Sequence, residues 1–89
     1  MFVRNRVVPE LMVCDLDISL AFWVSCLGFK VAYQRPEDEF AYLDLNGAQV
    51  MLERVDSEAG QWLTAPLEKP FGRGINLQID VEAVAPIIY

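Results

Sequence analysis

Any chemistry done by this chain is done without imidazole. The sequence holds no histidine, so Ser19, Ser25 and Ser57 have no nitrogen base to activate them as nucleophiles. Cys14 and Cys26 lack a neighbouring base that would favour thiolate. The expectation for them is two small buried thiols in a reducing cytosol. The run Glu37-Asp38-Glu39 reads as a solvated, charged turn. Gly72 and Gly74 form a GxG ahead of a strand-like stretch, whereas a dinucleotide-binding glycine loop follows a strand and opens a helix. No catalytic constellation is left. What remains is aromatic and apolar residues on strands with a few polar groups among them, the makeup of a small-molecule pocket.

The balance of residue types narrows the partners. With 89 residues, 54% of them hydrophobic and 22% charged, the chain reads as one small folded domain. Its formal net charge of −6 repels nucleic acid and anionic membranes and attracts cationic ligands. Arg4 and Arg6 are too few to track phosphates. No cationic segment followed by an apolar one opens the chain, and no apolar run approaches the roughly 20 residues that span a bilayer. The expected compartment is the cytoplasm.

Three groups of elements must position these residues. From Val7 to Phe29 the chain reads as a strand around Val8, Leu11 and Val13, then a helix. Asp15 or Asp17 caps it, Leu16, Leu20, Trp23 and Leu27 form its apolar stripe with Phe22 and Cys26 on the flank, and Gly28 ends it. Lys30 to Gln34 reads as a second strand and Arg35 to Glu39 as a turn that Pro36 keeps out of regular pairing. Phe40 to Leu45 and Ala48 to Arg54 alternate as strands about Asn46-Gly47, a type I′ hairpin signal. Ala41, Leu43, Leu45, Val50 and Leu52 share one face; Phe40, Tyr42, Asp44, Gln49, Met51 and Glu53 share the other.

A long loop follows, with a turn of helix expected near Trp62. Ile75 to Ile79 alternates as a further strand, and Asp80 is a candidate cap for a helix through Val84 and Ile87. The order is βαβββ, loop, β and the start of α. It predicts an α+β fold with a first module at about residues 5–56, a loop at 57–73 and the start of a second module at 74–89. Either a further C-terminal segment or another chain would close its sheet.

The run D-L-x-x-S-x-x-F-W-x-x-x-L-G-F at Asp15 to Phe29, followed by FAYLDLNGAQVMLE and GRGINLQIDV, resembles the glyoxalase/bleomycin-resistance/dioxygenase superfamily, or vicinal oxygen chelate proteins. The likeness is greatest to the bleomycin-resistance branch. It implies paired βαβββ modules curled around a cleft, often in a dimer whose clefts use both chains. Pro9 matches a first-strand proline that accompanies strand exchange between subunits in that branch; alternatively it marks an edge strand.

The resemblance also tests for a metal. The family's ligand positions fall on Val8, on Met51, and on Gly74 or Ile75, none of which is a hard-metal ligand. Glu10 and Glu53 share their parity but do not make a site alone. No metal, cofactor or catalytic residue is therefore expected. The implied cleft is lined by Val8, Glu10, Met12, Phe40, Tyr42, Met51, Glu53, Asn76 and Gln78. Phe40 matches an aromatic that stacks on the planar part of a ligand, although Phe40 and Tyr42 would serve equally to pack the other module or a partner subunit. Trp62 either closes over the cleft or anchors its loop. The expected function is antibiotic resistance of the bleomycin type: a homodimer sequesters a cationic glycopeptide without breaking a bond. The alternatives are a metal-dependent lyase, isomerase or dioxygenase with shifted ligands, and a family member binding an unrelated metabolite.

Overall fold

The computed structural model of the chain describes residues 2–56, 67–72 and 74–83. Four strands form one mixed sheet: β1 (Glu10–Val13), β2 (Lys30–Arg35), β3 (Phe40–Leu45) and β4 (Ala48–Arg54), in the order β1-β4-β3-β2. β1 runs parallel to β4, and the other neighbours are antiparallel. Parallel neighbours need a crossover, which helix α1 (Leu16–Leu20) and the segment after it supply. This is the α+β architecture that the order of elements predicts, and it matches the glyoxalase-like module that the resemblance implies.

Local chemistry accounts for the boundaries. Asp15 is extended at φ −144°, and its Oδ1 accepts the backbone N–H of Ile18 at 3.0 Å, capping α1. Gly28 ends the helical stretch at φ +90°, a conformation that a side chain disfavours. Asn46 and Gly47 both take positive φ, 50° and 97°, as a type I′ turn requires, and β3 and β4 meet them with the bounds expected. Pro36 opens a single 3₁₀ turn, Pro36–Asp38, while Arg35 still pairs with Phe40 as the last residue of β2.

The core lies between the sheet and the helical stretch. Phe29, Ala41, Leu43, Val50 and Leu52 are buried, and Leu16, Leu20, Trp23 and Leu27 pack on them from the helix. The Trp23 ring meets Phe29 edge-on at 5.1 Å. Both the expected stripe and the expected parity of β3 and β4 therefore face inward.

The fold departs from expectation in three places. The helix is α-helical only through Leu20; Ala21–Cys26 forms a wider π-helical turn, closed by Leu27 N–H to Phe22 O at 3.1 Å. Phe22 sits on its outer side, 52% exposed. The thiols are free but not buried: Cys14 is exposed and Cys26 half-buried, because Cys14 follows the last residue of β1 just before the cap. Ile75 to Ile79 alternates yet forms no strand. A strand needs a neighbour's backbone to pair with, and this stretch pairs with none among the described residues; Ile79 packs on the core, while Ile75 and Leu77 are exposed. The expected helix through Val84 and Ile87, and the turn near Trp62, lie outside the described residues.

Candidate functional site

The face of the sheet opposite the helix can be read as rows, because cross-strand partners share a face. One row is Tyr33–Tyr42–Met51–Glu10 and the next is Arg35–Phe40–Glu53–Met12. A third begins Lys30–Asp44–Gln49. The face thus runs from an aromatic side at β2 and β3 to an acidic side at β4 and β1.

One irregularity builds the aromatic side. β2 and β3 are in step at Val31↔Leu43, and then the register shifts so that Tyr33 meets Tyr42. Ala32 is the extra residue. Such a bulge re-aims everything after it; without it Tyr33 would oppose Ala41 on the core side. With it, Tyr33 stacks on Tyr42 at 5.2 Å with the rings 19° apart, and lies 5.9 Å from Phe40. The Arg35 guanidinium lies 4.2 Å from the Phe40 ring centre and is held by Asp38 through an Nε–Oδ2 contact of 3.1 Å.

Over this face lies the N-terminal segment, and Gln49 ties it down. The Gln49 Oε1 accepts from the Tyr42 hydroxyl and from Asn5 N–H at 2.8 Å; its Nε2 donates to Val3 O at 2.7 Å and to Asp44 Oδ1 at 2.9 Å. Asn5 Nδ2 donates to Gly47 O at 2.6 Å. Phe2 meets Tyr42 edge-on at 5.2 Å. Gln49 is the buried polar residue among those described, and all of its amide's atoms are engaged, as burial requires.

The expected lining residues are now placed. Phe40 and Tyr42 are fully buried, and Met51 and Glu53 beside them are half-buried. Glu10 ends the Tyr33 row at the sheet edge. Pro9 precedes β1 and extends its pairing through its carbonyl, which accepts Met51 N–H at 2.9 Å. Asn76 and Gln78 lie apart, both exposed; Gln78 borders a hollow of about 190 Å³ with Pro9, Trp23 and Ala48 at the hairpin end. Trp62 lies outside the described residues. A larger hollow of about 680 Å³ opens between Ser25–Gly28, the hairpin turn and residues 80–83, but no aromatic side chain lines it. Three residues of the aromatic face escaped sequence reasoning, Phe2, Arg4 and Tyr33, and Gln49 was placed on the face without its role as an anchor. The aromatic spacing in K-V-A-Y-Q was the available signal, and the bulge concealed its side.

The Glu10 carboxyl titrates above its ordinary value of 4.5. Loss of solvent around it is the main cause, the charge of Glu53 adds to it, and Arg35 partly offsets both. The folded chain thus holds this proton more tightly than the unfolded one. Stability from Glu10 is fully present below about pH 4.5 and is lost as pH rises through the folded value. Glu10→Gln is therefore expected to raise the thermal midpoint at pH 7 by roughly 1–3 °C and to leave it unchanged at about pH 3.5. Paired thermal melts at the two pH values check this; equal shifts at both would assign the gain to something other than charge.

Among the described residues no group of three or more Cys, Asp or Glu is arranged to hold a metal ion. The expected ligand positions hold Val8, Met51 and Gly74 or Ile75, and such a donor set does not fit a divalent ion. No helix among those residues is long and apolar enough to cross a membrane.

The family model described as Glyoxalase/Bleomycin resistance protein/Dioxygenase superfamily matches residues 5–77. A solved structure of a glyoxalase/bleomycin resistance protein/dioxygenase superfamily member from Vibrio splendidus 12B01 is 45% identical with a TM-score of 0.56, covering 92% of this chain and 61% of its own. The chain thus spans about three fifths of that protein's length. A bleomycin-binding protein from bleomycin-producing Streptomyces verticillus, solved with copper(II)-bleomycin, is 27% identical with a TM-score of 0.50, covering 62% of this chain and 43% of its own. Curated proteins yield no significant match.

Proposed function

Since the chain belongs to the glyoxalase/bleomycin resistance protein/dioxygenase superfamily, we propose that its aromatic face binds and sequesters a small molecule of the bleomycin type without chemical change. The observation that carries this reading is the contiguous platform of Tyr33, Phe40 and Tyr42 beside Glu10 and Glu53. Tyr33 is half-buried and Phe40 and Tyr42 are covered, so a planar ligand would stack on Tyr33 and reach the other rings where the residues over them move aside, and the two carboxylates favour a cationic one. The Streptomyces neighbour supports the same ligand class. In this reading Met51 and Trp62 are secondary contacts, Asn76 and Gln78 stand outside the aromatic face, the cleft is shared by a homodimer in which Pro9 marks the exchanged strand, and the protein works in the cytoplasm.

A metal-dependent reaction is the second reading. It draws support from the enzymes of the superfamily, but no step through a metal follows from Val8, Met51 and Ile75. The test is a titration of the full chain with bleomycin, metal-free and copper-loaded, followed by calorimetry. Saturation at about one ligand per subunit is the expected result. A flat titration of folded protein would overturn the sequestration reading. Divalent metal alone should not move the thermal midpoint; a saturable rise would favour the second reading.

A further inference from the structure

Arg4 is the unusual cation of this chain. The sequence carries 13 acidic residues against 7 basic ones; Arg35 and Arg54 each reach a carboxylate, Arg35 while also lying over the Phe40 ring. Arg4 lies over rings. Its guanidinium carbon is 5.0 Å from the Tyr42 ring centre and 5.7 Å from that of Tyr33, and its Nη2 donates to the Tyr33 hydroxyl. The aromatic pair has thus drawn a cation from an exposed segment of the same chain. That segment is lightly held. Residues 2–5 are exposed, and beyond the Phe2 and Arg4 ring contacts they are fixed by four hydrogen bonds, three to Gln49 and Gly47 and the Arg4 bond to the Tyr33 hydroxyl.

We propose that the Tyr33–Tyr42 face is a subsite for a flat organic cation, a guanidinium or amidinium group, and that Arg4 fills it until the ligand displaces residues 2–5. Arg4 then acts as a built-in competitor, and the affinity observed is the intrinsic one reduced by the fraction of molecules in which the segment is seated. The subsite's carboxylate neighbours lie along the same row, at Glu10 and one row over at Glu53. This inference rests on the reading of the face as a small-molecule site and names the ligand group that it takes.

The test compares the full wild-type chain with Arg4→Ser by NMR titration with benzamidinium, and with neutral benzamide as the matched control. Arg4 is exposed, so the variant should fold as the parent does, which near-ultraviolet dichroism verifies. Arg4→Ser is expected to bind benzamidinium about 2- to 30-fold more tightly, the span of a cation–ring contact of roughly 0.5–2 kcal/mol. Benzamide should not distinguish the two proteins, and Tyr33→Leu in the Arg4→Ser background should remove the gain. Equal or weaker binding by Arg4→Ser would overturn the proposal, as would a gain that benzamide shares. Bleomycin titrated into the same samples separates the two levels. If it binds both proteins alike while benzamidinium binds neither, the cation subsite falls and sequestration stands; if neither compound binds either protein, both fall.

Discussion

Leu52→Ala is expected to lower the thermal midpoint by roughly 10–30 °C, if the chain folds at all. Leu52 is completely buried and sits in the middle of the sheet, between Leu11 on β1 and Ala41 on β3. Truncating such a leucine removes about 2–5 kcal/mol, through lost transfer energy and the cavity left behind. A chain of 89 residues has a total stability of about 4–13 kcal/mol, so this one side chain is a large share of the whole. Each kcal/mol corresponds to about 4–8 °C in a domain of this size. Leu52→Val, which removes one methylene, should cost about a third as much. A thermal melt or urea titration checks both. A drop under a few degrees for Leu52→Ala would mean that β4 is not the centre of the core.

Phe40→Leu is expected to weaken bleomycin binding by about 3- to 10-fold while the protein stays folded. The variant keeps most of the buried volume and removes the ring face. Alanine is the wrong probe here. Strand alternation puts Phe40 on the cleft face, but the residue is 2% exposed and its ring packs beside Tyr33 under the Arg35 guanidinium. Emptying it costs about 3–5 kcal/mol of stability, so lost binding in Phe40→Ala would report unfolding as much as recognition. Calorimetric titration of Phe40→Leu, with a melt of the same sample, separates the two. Unchanged affinity in a folded variant would remove Phe40 from the site.

What was legible in the sequence is what short-range chemistry determines. The β3–β4 hairpin is an alternating run on either side of Asn46-Gly47, and turn type and side-chain parity together leave one register. The helix start is written in Asp15 and its end in Gly28. What was not legible depends on long-range partners. The Ala32 bulge adds a residue without changing the composition of β2, and period-two counting passes over it. Phe2 and Arg4 lie in a segment without periodicity, held by partners far along the chain such as the Gln49 amide, 44 residues from Asn5. Ile75 to Ile79 has the alternation of a strand but no neighbour to pair with among the described residues.

The parallel pairing of β1 with β4 has a kinetic consequence. The β3–β4 hairpin closes through a two-residue turn, whereas Glu10 meets Met51 only after some forty intervening residues have been gathered in. Closing so long a loop is entropically slow, so local pairs form first and the distant strand docks last. Pulse-labelling hydrogen exchange during refolding would register this as protection arriving at Leu43, whose partner is Val50, before it arrives at the Met51 amide bonded to Pro9. Until that late step the aromatic face lacks Glu10, and a folding intermediate would present the rings of β3 with Glu53 of β4 but without the carboxylate at the other end of the Tyr42 row.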